Sequence, residues 1–85
     1  MTIQQIHETM DVIHEQKFAT GQVVILAQTV DADNVGMLYH SIIASEQLGS
    51  YIHAQTWDWE RIVEYQHEHL IREREYERFC AEREV

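Results

Sequence analysis

The sequence predicts an all-α fold, a small antiparallel bundle of three helices, or four if the chain breaks near Gly21. Three observations lead there. The 85 residues hold no proline and only three scattered glycines, Gly21, Gly36 and Gly49, so the usual punctuation of sheets and long loops is missing. Apolar residues recur at helical spacing near both ends of the chain. Between them Asp31-Ala32-Asp33-Asn34 supplies side chains suited to the first free N–H groups of a new helix.

The first helix opens on Thr2 and Gln5, a capping-box pair, and continues through Ile3, Ile6, Met10 and Ile13 at spacings that make one apolar seam. Glu8, Asp11 and Glu15 fall on the other side, and the helix is expected to reach at least Phe18. Residues 22–30, Gln-Val-Val-Ile-Leu-Ala-Gln-Thr-Val, are uncharged and rich in β-branched side chains, which suit a buried strand as well as a buried helix. A lone strand in an otherwise helical chain needs a partner strand from another subunit. Continuing the seam from Ile13 through Thr20, Val24 and Ala27 favours helix. From Val35 to about Gln55 two apolar stripes, Val35, Leu38, Tyr39, Ile42 and Met37, Ala44, Leu48, Tyr51, predict a central helix surrounded by others. Thr56 or Asp58 caps a last helix carrying Trp59, Ile62, Val63, Gln66 and Leu70, which runs into a charged helical tail over residues 72–85.

Residues 1–85 therefore form a single helical domain, and its size leaves a core too small for all of its apolar surface. A symmetric dimer covers more of that surface, so a homo-oligomer is expected. Fifteen Asp and Glu against six Lys and Arg give a formal charge of −9, which repels phosphate backbones and acidic membranes and excludes direct nucleic-acid binding as an expectation. The longest apolar run is far too short to span a bilayer. One cysteine, Cys80, cannot close an internal disulfide, and the first residues lack a basic start and apolar stretch, so the cytoplasm is the expected compartment.

Two groups of side chains could carry function. The first is a partner-binding surface of Trp57, Trp59, Glu60, Glu64, Glu68, Tyr76 and Phe79. Like charges at i,i+4 in Glu60, Glu64 and Glu68 destabilise an isolated helix unless something answers them, and aromatic residues of this kind are enriched at binding hot spots. The second is a metal reading. Asp11 with His14, and Glu64 with His67, are carboxylate-x-x-His pairs of the sort that di-metal bundles turn inward, and His7 shares an arc with Asp11 and His14. No cofactor is expected on the first reading; zinc or iron is the alternative on the second. Glu46 and His53 flank Gly49, where a close helix approach is allowed. No nucleophile with a base at helical spacing, phosphate loop or Cys/His cluster is present, so the chain is read as no enzyme.

The expected function is a non-enzymatic protein-binding module, an adaptor or inhibitor that docks an acidic, aromatic helical face on a larger basic protein. In size, acidity and composition over the whole chain, and in no motif, it resembles the small phage and mobile-element proteins that inhibit nucleic-acid-handling enzymes. The alternatives are a metal-binding helical bundle, or a pH-responsive regulatory oligomer in which protonation of six histidines moves the charge from −9 to −3.

Overall fold

The computed structural model describes residues 1–31 and 36–83 and overturns the all-α bundle. The chain is a small α+β fold in which a short helix α1 (Ile3–Thr9) precedes four strands, β1 (Asp11–Lys17), β2 (Gln22–Asp31), β3 (Gly36–Ser45) and β4 (Gly49–Thr56), and a long helix α2 (Trp59–Arg83) follows them. The strands make one antiparallel meander in the order β1-β2-β3-β4.

Each correction has a local cause. The predicted capping box is present: Gln5 N–H donates to Thr2 Oγ1 at 3.2 Å and Thr2 N–H to Gln5 Oε1 at 2.8 Å. The first helix nevertheless stops at Thr9, because Met10 turns extended and the β-branched Val12 and Ile13 pass into β1 with a bulge between Val12 and His14. The run assigned to a second helix is β2. Its partner strands come from the same chain, Ile25 facing both Glu15 of β1 and Ile42 of β3, so no second subunit is required. The expected central helix from Val35 to Gln55 is instead the β3–β4 hairpin, with Ile43 opposite Ile52. Gly49 takes φ +71° at the end of its turn, a conformation that glycine adopts without cost, and the Met1 carbonyl approaches so closely that an added Cβ would lie 2.8 Å from it. The proposed cap at Asp31-Ala32-Asp33-Asn34 lies outside the described residues beyond Asp31, which ends β2.

Burial shows why a continuous apolar run misleads. Val23 to Ala27 are buried without interruption because β2 is covered on both faces, as is the stretch from His40 to Ala44 in β3. On one face Val23, Ile25, Ala27, Ile42 and Ala44 close around Ile6 of α1, with Ile3, Met10 and Val12 beside them. On the other, Phe18, Val24 and Ile43 pack with Ile52 and with Leu70 of α2. A fully buried Ile side chain contributes about 1.5–3 kcal/mol relative to an exposed one, so the central strands carry much of the stability.

The last helix is where the sequence placed it. Asp58 caps it, Oδ1 accepting from Glu60 N–H at 3.0 Å, while Asp58 N–H donates to Thr56 Oγ1 at 3.1 Å. From Trp59 beside Tyr39, α2 passes Ser41 and reaches the β1–β2 turn, so it lies along β3. No described helix is long and apolar enough to cross a membrane.

Candidate functional site

The α2 residues facing the sheet are Ile62, Gln66 and Glu73, all buried. A helix turns 100° per residue, so Glu60, Glu64 and Glu68 fall on the side away from that stripe, and all three are exposed. Among the described residues none has a cationic nitrogen within 4.0 Å; the contact at that range is His7 Nε2 with Glu15 Oε1, at 3.1 Å. Glu68 and Arg72, four residues apart on α2, are not paired at this distance.

At the start of α2 the ridge meets an apolar corner. Trp59 stands edge-on to Tyr39 of β3, with ring centres 5.0 Å apart at 67°, and keeps much of its surface in solvent. Trp57, 56% exposed, lies beside Gly36. Val63 and Ile71 on α2 are also exposed. Tyr76 and Phe79 lie about 25–30 Å from Trp59 along the helix at ~1.5 Å per residue. Arg83 stacks over Phe79 at 5.2 Å from its ring centre, and Tyr76 borders a shallow cleft of about 350 Å³ with Ala19, Thr20, Glu77 and Cys80. The predicted partner-binding set thus divides: Trp57, Trp59, Glu60, Glu64 and Glu68 share one end of α2, and Tyr76 and Phe79 form a separate patch.

The candidate metal residues are dispersed. His7 on α1 pairs with Glu15, Asp11 accepts from the Gln28 side chain at 2.7 Å, His14 lies in the edge strand β1, and Glu64 and His67 are exposed on α2. Among the described residues no three His, Cys, Asp or Glu side chains gather in a way that would hold a metal. Glu46 sits exposed in the β3–β4 turn, bordering an open groove with Thr2, Ile3 and Gln4 at the start of α1.

Three polar clusters escaped the sequence reading because each joins residues distant in the chain. Under α2, the fully buried Ser41 hydroxyl contacts Gln66 Oε1 at 2.6 Å and His69 Nδ1 at 2.7 Å. Burial, aided by Arg72, pushes the His69 pKa down. Further along, Glu73, 2% exposed, lies 3.4 Å from Tyr51 Oη; the Gln22 amide, turned to donate, reaches Tyr51 Oη at 3.2 Å and the Glu73 carboxylate. Burial raises the Glu73 carboxyl above its ordinary range, and burial together with the Glu73 charge pushes Tyr51 up to about 12. On the opposite face, Thr29, His40 and His53 form a diagonal chain across β2, β3 and β4: Thr29 Oγ1 to His40 Nε2 is 2.8 Å, and His40 Nδ1 to His53 Nε2 is 2.8 Å. Burial lowers the pKa of both imidazoles, and for His40 the neighbouring His53 charge adds to it. Alternation along assigned strands would have put these three on one face; the helical assignment hid that.

No protein family, curated protein or solved structure matches this chain.

Proposed function

We propose that the chain is a non-enzymatic protein-binding module of the cytoplasm that docks the start of α2 on a basic surface of a larger protein. The observation that carries this reading is the continuity of the exposed Trp57, Trp59 and Val63 with Glu60, Glu64 and Glu68, carboxylates that have no cation within 4.0 Å among the described residues. Aromatic anchors supply buried area on association, and the acidic ridge steers and orients a basic partner. A surface that repels phosphate backbones while mimicking their charge fits a partner that itself handles nucleic acid. Tyr76 and Phe79, on the second half of α2, are not part of the proposed contact.

The test places a photo-crosslinking side chain at position 64 of the full chain in its host, identifies the captured protein, and titrates the purified pair. A basic contact surface is expected, with affinity falling on the order of tenfold or more as salt rises from about 50 to about 300 mM. The triple charge reversal E60K/E64K/E68K weakens binding further, and Trp57→Ala weakens it without altering the salt slope. Salt-insensitive binding that tolerates the triple reversal overturns the acidic-ridge reading.

A further inference from the structure

We propose that the outer edge of β4 is a self-pairing surface, on which a second copy of this chain lays its own β4 antiparallel across a two-fold axis and joins the two sheets into one. β4 is the last strand of the meander and is paired on one side, with β3. Its other side carries backbone N–H and C=O groups that an extended strand takes up, so the backbone fixes the kind of occupant before any side chain is considered.

Two details limit this edge to Ile52–Thr56. Ser50 N–H already donates to the Met1 carbonyl at 2.7 Å, and the register with β3 shifts between Ser50 and Ile52, leaving Tyr51 in a bulge. From Ile52 to Thr56 the pairing with β3 is regular, and His53 and Gln55 are exposed.

Charge selects the occupant. Each copy carries −9, so two copies repel one another except where neither presents charge. Residues 47–57 hold no Asp, Glu, Lys or Arg. Burial keeps the His53 pKa below its ordinary value and pushes Tyr51 up to about 12, so both are neutral at pH 7. The opposite edge, β1, carries Asp11, Glu15 and Lys17 with a bulge between Val12 and His14, and two copies meeting there would set like charges together. An acidic or basic strand finds no complementary charge on β4, whereas an identical neutral strand meets no opposing one.

A two-fold axis normal to the sheet keeps facing side chains on the same face, so the register in which all five residues overlap is centred on Ala54. It sets Ala54 against Ala54, His53 against Gln55 and Ile52 against Thr56 of the second copy. Trp57, 56% exposed just past the strand, is carried to the level of the second copy's Tyr51, 44% exposed, which adds apolar area to a short ladder.

Sedimentation velocity of the untagged full chain at pH 7.5 tests the pairing. A monomer–dimer equilibrium is expected, with a dissociation constant on the order of tens of micromolar for so small a contact. Raising salt from about 50 to about 300 mM tightens the dimer, because it screens two like-charged copies. The acidic-ridge contact responds in the opposite sense, and self-pairing does not rest on it, so the two readings fail separately. Amide hydrogen exchange of the parent is expected to slow in Ile52–Thr56 as concentration rises, with β1 unchanged. H53E/Q55E and H53K/Q55K, at exposed positions, each weaken the dimer at least about fivefold, and an equal mixture of the two variants associates more tightly than either alone. A chain that stays monomeric up to about 500 µM, well above the expected constant, leaves the edge to a strand of another protein and overturns self-pairing. A dimer protected in β1 or α2 in place of β4, or one that both charge variants keep, overturns it as well.

Discussion

Glu73 is the residue whose environment departs furthest from its type. A carboxyl group 2% exposed, beside a tyrosine and the Gln22 amide, costs least when protonated. Its folded pKa lies above the unfolded value, so its contribution to stability is fully present below that unfolded value and is lost as pH rises through the folded one. Glu73→Gln keeps the shape and removes the ionisation. The variant is expected to be more stable than the parent at pH 7, by about 1 kcal/mol, with the difference shrinking as the medium approaches pH 4. Urea unfolding at the two pH values measures it; a variant less stable at pH 7 would mean that the ionised carboxylate is favourably held by Gln22 and Tyr51.

At the level of elements, the start of α1 and the course of α2 were legible, while the end of α1 and the sheet were not. Thr2 with Gln5, and Thr56 with Asp58, announce helix starts by chemistry that depends on three or four neighbouring residues, and both sites behave as that chemistry requires. The strands fail the same kind of reading because β2 and β3 are buried on both faces. A run such as Val23-Val24-Ile25-Leu26-Ala27 satisfies a helical period as readily as an extended one. Its β-branched content was the better guide, and the glycines at 21 and 49, both with positive φ, mark the hairpin turns. Of the candidate site, the acidic ridge and tryptophans were visible because they lie within one helix; the Thr29–His40–His53 chain depends on strand register and was not. Gly49→Ala tests the hairpin. The substitution forces a side chain into a left-handed backbone and against the Met1 carbonyl, and a loss of about 1–3 kcal/mol is expected in thermal or urea unfolding. Stability equal to that of the parent would mean that this turn is not held as described.

Across the whole molecule, the histidines set the response to acid. His40, His53 and His69 all have lowered pKa values, and they sit on both faces of the sheet around β3. A depressed folded pKa contributes stability above the unfolded value of about 6.5 that is lost as pH falls through the folded value. Glu73 acts in the opposite sense but over its own, carboxylate window. The chain is therefore expected to lose stability below about pH 6.5 in buffer containing a chelator, and the loss is expected to shrink in His69→Gln, whose amide keeps a contact to Ser41 without titrating. A stability curve flat from pH 7 to pH 5 contradicts this account.

The way α2 meets the sheet sets how the molecule comes apart. Beyond the Trp59–Tyr39 contact and the aliphatic seats of Ile62 and Leu70, the helix is fastened by Gln66 and His69 at Ser41, by Glu73 at Tyr51, and by Glu77, which accepts from Ala19 N–H at 2.7 Å. Directional links of this kind exchange for water at small net cost, so the α2 seam is expected to open more readily than the cluster around Ile6, which faster amide exchange in α2 would show. The structure is thus built like a clasped book: its back cover can lift on a row of buttons without loosening the binding.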